Sequence, residues 1–319
     1  MTREGTDGNG ASNGGWNAHL AADLTDLLGA PPMALEDQGT GLDAPDSTLK
    51  LLVRGGDGAP AAFALCSAAA APRMVARACE RARVARAALG EDLGSVIIDP
   101  LREGDRQGRT WCILPLLRTL SASRLISLFE RRRLGPALFA WLRAATARTL
   151  HEPDEEEVAR EFRVPLAFLA AMEAAPVAVR RAGEAALAGL ETGRWEPRQV
   201  LSHNDLWLGN VLIDSRPQSP RADRRWAERF VLIDWPGSRV RGHPLYDLLR
   251  LSDSLRVGRR TLRAEVEAHA ALLGCSASGA RQHLVAALAY QAAHLEHCPE
   301  EVFARVSTAC LERLGALGC

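Results

Sequence analysis

The sequence has no excess charge of either sign, because 39 basic and 39 acidic side chains balance over 319 residues. A balanced chain has no long-range field that draws it to nucleic acid or to an anionic membrane. Lysine is almost missing: Lys50 is the only one, beside 38 arginines. Any phosphate-binding role for lysine is therefore limited to one position. The arginines are interspersed with acids and alanines and are not grouped with aromatic residues, which argues against nucleic-acid binding.

Other absences narrow the class of protein further. Seven cysteines are scattered without a Cys-x-x-Cys pair, which argues against a zinc site and against a disulfide framework. No apolar run reaches transmembrane length, and the polar, glycine-rich start does not resemble a signal peptide. We therefore expect a cytoplasmic protein without nucleic acid or membrane partners. The sequence indicates no oligomeric state.

Two lobes are expected after a disordered, glycine- and asparagine-rich tail over residues 1–15. The first lobe, over 16–117, begins with an amphipathic helix pattern and continues with short apolar runs typical of strands. The second lobe, over 118–319, is mainly helical. The predicted fold class is α+β, with a small mixed sheet and a helix followed by a larger helical part.

Glycine and proline mark the expected ends of these elements. In the first lobe the pattern predicts a helix over 73–89 that stops at Gly90, a polar turn over 103–108, and strands over 48–54, 61–66, 95–98 and 109–114. In the second lobe it predicts helices over 125–150 with a break at Gly135-Pro136, over 154–174 with a break at Pro165, over 177–190, and from residue 245 onward.

A short polar segment in the second lobe carries the most specific pattern. Residues 202–214 read SHNDLWLGNVLID and bring His203, Asp205 and Asn210 into one segment between apolar runs. Asp234 follows a further apolar run of four residues. The spacing H-x-D-x-x-x-x-N, followed by an aspartate after a strand, is typical of kinase catalytic loops.

These residue types suit phosphoryl transfer, which needs positioning more than covalent chemistry from the protein. A carboxylate such as Asp205 orients an acceptor hydroxyl, and the oxygens of Asn210 and Asp234 are ligands that Mg²⁺ prefers. Gly209 permits a tight bend beside them. Asp and Asn also cap ordinary turns, which would explain any one of these residues alone. Four such residues in order, with strands between them, favour the functional interpretation.

The segment resembles the aminoglycoside phosphotransferase and choline kinase-like superfamily, and its Asp-Leu-Trp step is similar to fructosamine kinases. The matching stretches are residues 203–210, Ile233-Asp234-Trp235 and the run GHPLYDL over 242–248. The resemblance implies a two-lobed protein kinase-like fold that uses ATP or GTP with Mg²⁺. It also implies that Asp205 is the catalytic base and that Asn210 and Asp234 bind the metal.

The resemblance further implies supporting roles for residues outside this set. Asp247 would brace the catalytic loop by accepting backbone hydrogen bonds, and His203 would pack under the metal-binding segment. The residues Pro115, Leu116 and Leu117 would form the hinge that contacts the nucleotide.

One element of the family is missing from its usual place. The family carries a phosphate-binding lysine on the strand before the first long helix, near Leu65 or Cys66 here, and this strand has no lysine. In the register suggested by a turn over 55–58, Lys50 on the preceding strand faces Phe63 and shares the sheet face of Leu65. Lys50 is then a candidate cofactor-binding residue, and a solvated surface lysine is the alternative.

The sequence thus predicts a kinase that phosphorylates a hydroxyl of a small molecule of aminoglycoside, sugar or amino-alcohol type. The alternative is a pseudokinase-like module that binds nucleotide with weak or no catalysis, a hypothesis that the missing lysine motivates. An acidic run over 154–157 would suit a cationic acceptor. Carboxylates at a helix start also favour the helix dipole, so the acceptor is left open.

Overall fold

The computed structural model describes residues 20–39, 48–217, 219, 221–295 and 299–318. The tail predicted over 1–15 lies outside these residues, as do the first residues of the predicted N-terminal helix. The described residues divide into two compact units. One belongs to residues 1–77 and 99–116, and the other to residues 78–98 and 117–319. The lobe boundary expected after residue 117 stays a prediction.

The first unit is built on a five-stranded sheet in the order β1-β2-β3-β5-β4. Its strands are β1 (Ala34–Asp37), β2 (Leu49–Arg54), β3 (Pro60–Cys66), β4 (Arg102–Arg106) and β5 (Arg109–Pro115). All four pairings are antiparallel, and the short turns that join β2 to β3 and β4 to β5 require this orientation for those two pairs. The sheet is therefore antiparallel rather than mixed, within the α+β fold that the sequence predicts.

One face of this sheet carries the core of the first unit. Alternate residues of β2 and β3 point to it and pack with helix α1, described over residues 20–28. The buried set is Leu20, Leu24, Leu51, Val53, Ala62, Ala64, Cys66, Trp111 and Ile113. Lys50 and Leu52 of β2 and Phe63 and Leu65 of β3 lie on the opposite face.

Two strand expectations were wrong. Residues 95–98 form a single isolated bridge, Ile97 to Leu232, instead of a strand. The supposed polar turn over 103–108 contains most of β4, an edge strand whose polar sequence lacks the alternation that signals a half-buried strand. Only Gln107 and Gly108 form the turn, both with positive φ (52° and 74°), which is the backbone of a tight hairpin.

Helix α2 (Met74–Gly94) extends past its predicted end. Gly90 has φ 74° and ψ 178°, outside the helical region, so it interrupts the helix where the sequence placed a stop. The helix resumes for one turn. Gly90 therefore marks a local break inside the helix and not the end of the helix.

The second unit is mainly helical, as predicted. Its helices are α2 from residue 78 onward, α3 (Arg124–Thr149), α4 (Glu155–Val158), α5 (Val164–Ala171), α6 (Val177–Glu191), α7 (Tyr246–Leu255), α8 (Arg259–Leu272), α9 (Ala277–Ala293) and α10 (Glu300–Gly315). Helix α9 lies at the centre of this unit, and its Ala280, Leu284 and Leu288 are buried. Within the described residues, the helices lack the combination of length and hydropathy that a membrane crossing needs.

Two prolines predicted to break helices do not end them. Pro136 lies inside the continuous helix α3, whose neighbouring Leu134 and Gly135 are buried. Packing of this buried stretch outweighs the missing N–H bond. Pro165 lies in the first turn of α5, where proline is well tolerated, and α5 continues from α4 through a π-helical turn over Ala159–Arg163.

Candidate functional site

Two short strand pairs position the polar residues of the second unit. Strand β6 (Val200–Ser202) pairs with β9 (Arg239–Gly242) and leads into the loop that contains His203 and Asp205. Strand β7 (Val211–Ile213) pairs with β8 (Phe230–Leu232), with Val211 opposite Leu232. Because this pair is antiparallel, the residue before β7 and the residues after β8 meet at one end of the ladder.

Asn210 lies at that meeting point and joins three segments. Its backbone carbonyl accepts a hydrogen bond from the N–H of Ile233 at 3.1 Å, directly before Asp234. Its side-chain Nδ2 donates to the backbone carbonyl of Asp205 at 2.8 Å and to Oδ2 of Asp205 at 3.0 Å. Asn210 is buried, while half of the Asp205 side chain (51%) is exposed. The arrangement fixes the Asp205 carboxylate and leaves it open to solvent.

His203 is buried beneath the segment that carries Asp234. Its Nε2 donates to the backbone carbonyl of Ile233 at 2.9 Å, and its ring centroid lies 4.5 Å from that of Trp235. Burial lowers the pKa of His203 to about 4, against a smaller opposing effect of the bond to Ile233. The imidazole is therefore neutral at pH 7 and serves as a hydrogen-bonding support.

Asp247, in the first turn of α7, holds the loop from the other side. Its Oδ2 accepts the backbone N–H of His203 at 2.6 Å, and its Oδ1 accepts that of Asn204 at 2.9 Å. Burial raises the pKa of Asp247 to about 6, and the backbone hydrogen bonds oppose that rise. A buried carboxylate with these partners fixes the backbone path that leads to Asp205.

Backbone strain is concentrated in the same region. Asn204 and Asp234 have φ of 67° and 69°, in the left-handed region that non-glycine residues seldom occupy. Asn204 is held there by its Nδ2, which donates to the carbonyl of Gly237 at 2.8 Å. Such strained residues cluster at functional sites, where the surrounding contacts impose the conformation.

The donor atoms of this cluster fit a magnesium ion. Asn210 uses its amide nitrogen for both hydrogen bonds to Asp205, so its carbonyl oxygen is available as a neutral ligand. Asp234 is exposed and directly follows Ile233, whose N–H donates to the carbonyl of Asn210. One carboxylate with one amide oxygen matches the hard, oxygen-only preference of Mg²⁺, which keeps its remaining sites for water and phosphate.

Lys50 is exposed on β2, and its cross-strand partner is Leu65 instead of the expected Phe63. The register differs by two residues: the turn pairs Arg54 with Pro60 instead of Ala59, and a bulge between Val53 and Arg54 adds one more residue. An even shift keeps the side chain on the same face, so Lys50 and Leu65 still share it. Lys50 thus lies directly across from the position where the family carries its lysine.

The three residues proposed as a hinge begin at the last residue of β5. Pro115 is buried at the end of that strand, and Leu116 and Leu117 are half-buried. The chain passes from the first unit to the second between Leu116 and Leu117. A role for these residues in nucleotide binding stays a prediction.

Two neighbours of the cluster were missed by sequence reasoning. Asn204 contributes both a backbone donor to Asp247 and a side-chain bond to Gly237. Arg250 lies with its Nη2 3.4 Å from Oδ1 of Asp205. Its signal was its spacing: it follows Asp247 by three positions, which places it one helical turn further along the same face of α7.

The architecture defines the class first: an antiparallel sheet with helix α1 in one unit and a mainly helical second unit give the α+β, protein kinase-like fold. A structure of a candidate fructosamine-3-kinase from Haemophilus somnus 129PT is similar over 93% of this chain and 96% of that chain, with a TM-score of 0.51 and 10% identity. This likeness confirms the predicted kinase-like fold.

Other solved structures align with lower scores. A choline/ethanolamine kinase family protein from Mesorhizobium loti aligns over 96% of this chain and 94% of that chain, with 15% identity and a TM-score of 0.47. An aminoglycoside phosphotransferase from Alicyclobacillus acidocaldarius subsp. acidocaldarius DSM 446 aligns over 94% and 93%, with 12% identity and a TM-score of 0.41. No family model and no curated protein sequence matches this chain.

Proposed function

We propose that this protein is an ATP- and Mg²⁺-dependent phosphotransferase that acts on a hydroxyl of a small molecule. One observation carries the proposal. Asn210 donates to Asp205 through its side chain and accepts from Ile233, the neighbour of Asp234, through its backbone. The proposed base, Asp205, and the proposed metal ligands, Asn210 and Asp234, thereby belong to one cluster.

Each residue of the cluster has a distinct role in this reaction. Asn210 and Asp234 hold Mg²⁺, which when bound neutralises the charge of the phosphates. Asp205 orients the acceptor hydroxyl and accepts its proton while the hydroxyl oxygen bonds to the γ-phosphorus. The bond from that phosphorus to the β–γ bridging oxygen breaks, and ADP leaves with the electron pair. His203 and Asp247 keep the loop in place.

Lys50 is the proposed phosphate-binding residue of the first unit. The reason is its position opposite Leu65 on the sheet face that the core does not occupy. It is also the chain's single lysine, so no other lysine is available for this contact. Pro115, Leu116 and Leu117 are proposed as the hinge that contacts the nucleotide base.

Binding and chemistry are tested separately. Thermal-shift titrations with Mg-ATP and Mg-GTP on wild type, Lys50→Ala and Asp234→Ala measure nucleotide affinity and its dependence on the lysine and on the metal. We expect stabilisation of wild type by one of the nucleotides and a weaker response from both variants. Asp205→Asn should bind nucleotide like wild type and lose turnover. Full activity of Asp205→Asn contradicts the assignment of the base.

A second candidate function is supported by the absence of lysine from β3. In this alternative the protein is a pseudokinase-like module that binds nucleotide with weak or no catalysis. The retained Asp205, Asn210 and Asp234 argue against it, because a purely structural module does not need metal ligands. Binding of Mg-ATP without phosphorylation of any acceptor would favour the alternative.

A further inference from the structure

An arginine outside the kinase motif contacts the proposed base. Arg250 of α7 places its Nη2 3.4 Å from Oδ1 of Asp205, while the other carboxylate oxygen accepts from Asn210. The Arg250 side chain is 29% exposed, and its Nε is buried with no partner among the described residues. A guanidinium has five N–H donors, and one long contact leaves most of them unused.

Two buried side chains close to Arg250, Tyr246 and Cys310, are neutral. Burial raises the pKa of the Cys310 thiol to about 11, and it raises the pKa of the Tyr246 phenol as well. Neither group is an anion at neutral pH. Among the described residues, the carboxylate that forms an ion pair with Arg250 is Asp205, and a buried donor without a partner is costly.

The acids near the loop are already paired. On β9, the partner strand of β6, Arg239 holds Glu161 at 2.9 Å and Arg241 holds Glu157. Hydrogen bonds, first of all from His151, lower the pKa of Glu157 to about 2.

Asp154 and Asp253 are engaged in the same way. Asp154 caps α4 through a reciprocal hydrogen bond with Glu157, and Asp253 of α7 pairs with Arg313. The acidic run over 154–157 therefore serves the start of a helix, and it offers a cationic acceptor few unpaired carboxylates.

We propose that the acceptor carries an anionic group, a carboxylate or a phosphate, and that Arg250 binds it. This inference rests on the proposed phosphotransferase function. When the acceptor hydroxyl meets Asp205, its anionic group takes the unused N–H donors of Arg250 in a forked, charge-assisted contact. A polycationic acceptor would instead meet the guanidinium beside the base, and like charges that close repel.

The test uses acceptor sets that differ in charge and little else. One set is glycerol, D-glycerate, glycerol 3-phosphate and 3-amino-1,2-propanediol, and the other is glucose, glucose 6-phosphate, glucosamine and kanamycin. ATP consumption gives kcat and KM, and thermal shift with Mg-ADP present gives binding without turnover. Wild type is compared with Arg250→Gln, with the charge-retaining Arg250→Lys, and with Arg259→Gln as a matched exposed arginine outside the site.

In wild type we expect the anionic members to bind and react best. Arg250→Gln should raise their KM by roughly 10- to 100-fold, the range for loss of a charge-assisted hydrogen bond, with a small effect on neutral members. Arg250→Lys should recover part of the loss, and Arg259→Gln should resemble wild type.

Three results would overturn the inference: a preference for cationic or neutral acceptors, an anion response that Arg250→Gln leaves intact, or no anion response at all. A fall in kcat that is equal for all acceptors also counts against it, because Arg250 would then only position Asp205. Mg-ATP binding on the same proteins separates the two proposals. If wild type does not bind Mg-ATP, the phosphotransferase proposal fails; if it binds Mg-ATP without preference for anions, only this inference fails.

Discussion

His203 and Asp247 are 44 positions apart in the chain, and the backbone N–H of His203 donates to Oδ2 of Asp247 at 2.6 Å. This bond ties the start of helix α7 to the loop that carries the proposed base. The second carboxylate oxygen of Asp247 accepts a hydrogen bond from the N–H of Asn204. The left-handed backbone of Asn204 restricts the directions in which this N–H can point. One buried carboxylate thus determines the conformation of the loop.

Asp247→Asn should loosen this loop. The amide can accept only through its single oxygen, and its NH₂ group would face one of the two backbone donors. An unsatisfied buried donor costs about 1–3 kcal/mol, so the free energy of unfolding should fall by about that amount. Urea unfolding measures the loss, and hydrogen exchange should show faster exchange of the amides of His203 and Asn204.

Asp253→Asn is the matched control for this change, because Asp253 lies on the same helix and is largely exposed beside Arg313. Exposed ion pairs contribute little, so we expect a change within about 0.5 kcal/mol. Equal destabilisation by the two substitutions would show that Asp247 does not brace the loop.

Three buried histidines should make the protein sensitive to mild acid. Burial lowers the pKa of His203 and His283 to about 4 and that of His243 to about 3. An unfolded histidine titrates near 6.5, so the unfolded state binds more protons as the pH falls below that value. The stability that these groups contribute is complete above pH 6.5 and is lost as the pH falls toward 4. The expected loss between pH 7 and pH 5 is about 2 kcal/mol for each histidine.

Asp247 acts in the opposite direction. Its folded pKa of about 6 lies above the ordinary 3.8, so it favours the folded state as the pH falls from 6 to 4. One acid offsets only part of the effect of three histidines. His243 has no hydrogen-bond partner among the described residues and lies against Phe162, so His243→Leu isolates one contribution. Urea unfolding at pH 7 and pH 5 should show a loss about 2 kcal/mol smaller in this variant; an unchanged loss would rule out the low pKa of His243.

Pro136→Ala should stabilise the protein. Pro136 is exposed inside α3, where it removes one backbone hydrogen bond of an otherwise continuous helix. A helix-interior proline costs up to about 3 kcal/mol relative to alanine, and the folded backbone already accommodates the helical path. We expect a gain of about 1–3 kcal/mol in urea unfolding. Pro176→Ala, at the N-cap of α6, should bring no such gain, and a loss of stability in Pro136→Ala would mean that the proline relieves strain.

Sequence reasoning identified what is local and specific. The motif from His203 to Asn210 was recognised because its residue types and their spacing lie within one short segment. The kinase-like fold class was inferred from that motif. Strand β4 was not predicted because its residues, Arg102–Arg106, do not alternate in hydrophobicity. It is extended because it pairs with β5. Pairing with a neighbouring strand leaves no periodic signal in a polar edge strand.

Contacts that depend on the fold were out of reach for the same reason. Arg250 is one of 38 arginines. Its spacing from Asp247 places the two residues on one helix face, but it does not show that this face contacts Asp205. Its proximity to Asp205 arises because Asp247 anchors α7 against the loop. The register of Lys50 was two residues off, since neither the length of the turn nor a bulge can be read from apolar alternation alone.

That register leads to a prediction about Lys50. If Lys50 binds the phosphates from β2, Lys50→Ala should weaken Mg-ATP binding by roughly 10-fold, which corresponds to about 1.4 kcal/mol. Leu65 lies directly opposite on the same face, and cross-strand side chains start about 5 Å apart. A lysine at position 65 can therefore reach the same region. The double variant Lys50→Ala/Leu65→Lys should regain most of the affinity, as measured by calorimetric titration.

The control for this rescue is Arg106→Ala, which removes an exposed positive charge at the end of β4 and should leave Mg-ATP affinity unchanged. Unchanged Mg-ATP affinity in Lys50→Ala would show that Lys50 is a solvated surface residue that does not bind the nucleotide. If Lys50→Ala loses Mg-ATP affinity and the double variant does not regain it, the contact depends on the position on β2. Recovery would mean that this fold accepts its phosphate-binding lysine from either of two adjacent strands, because the sheet face matters more than the strand that supplies it.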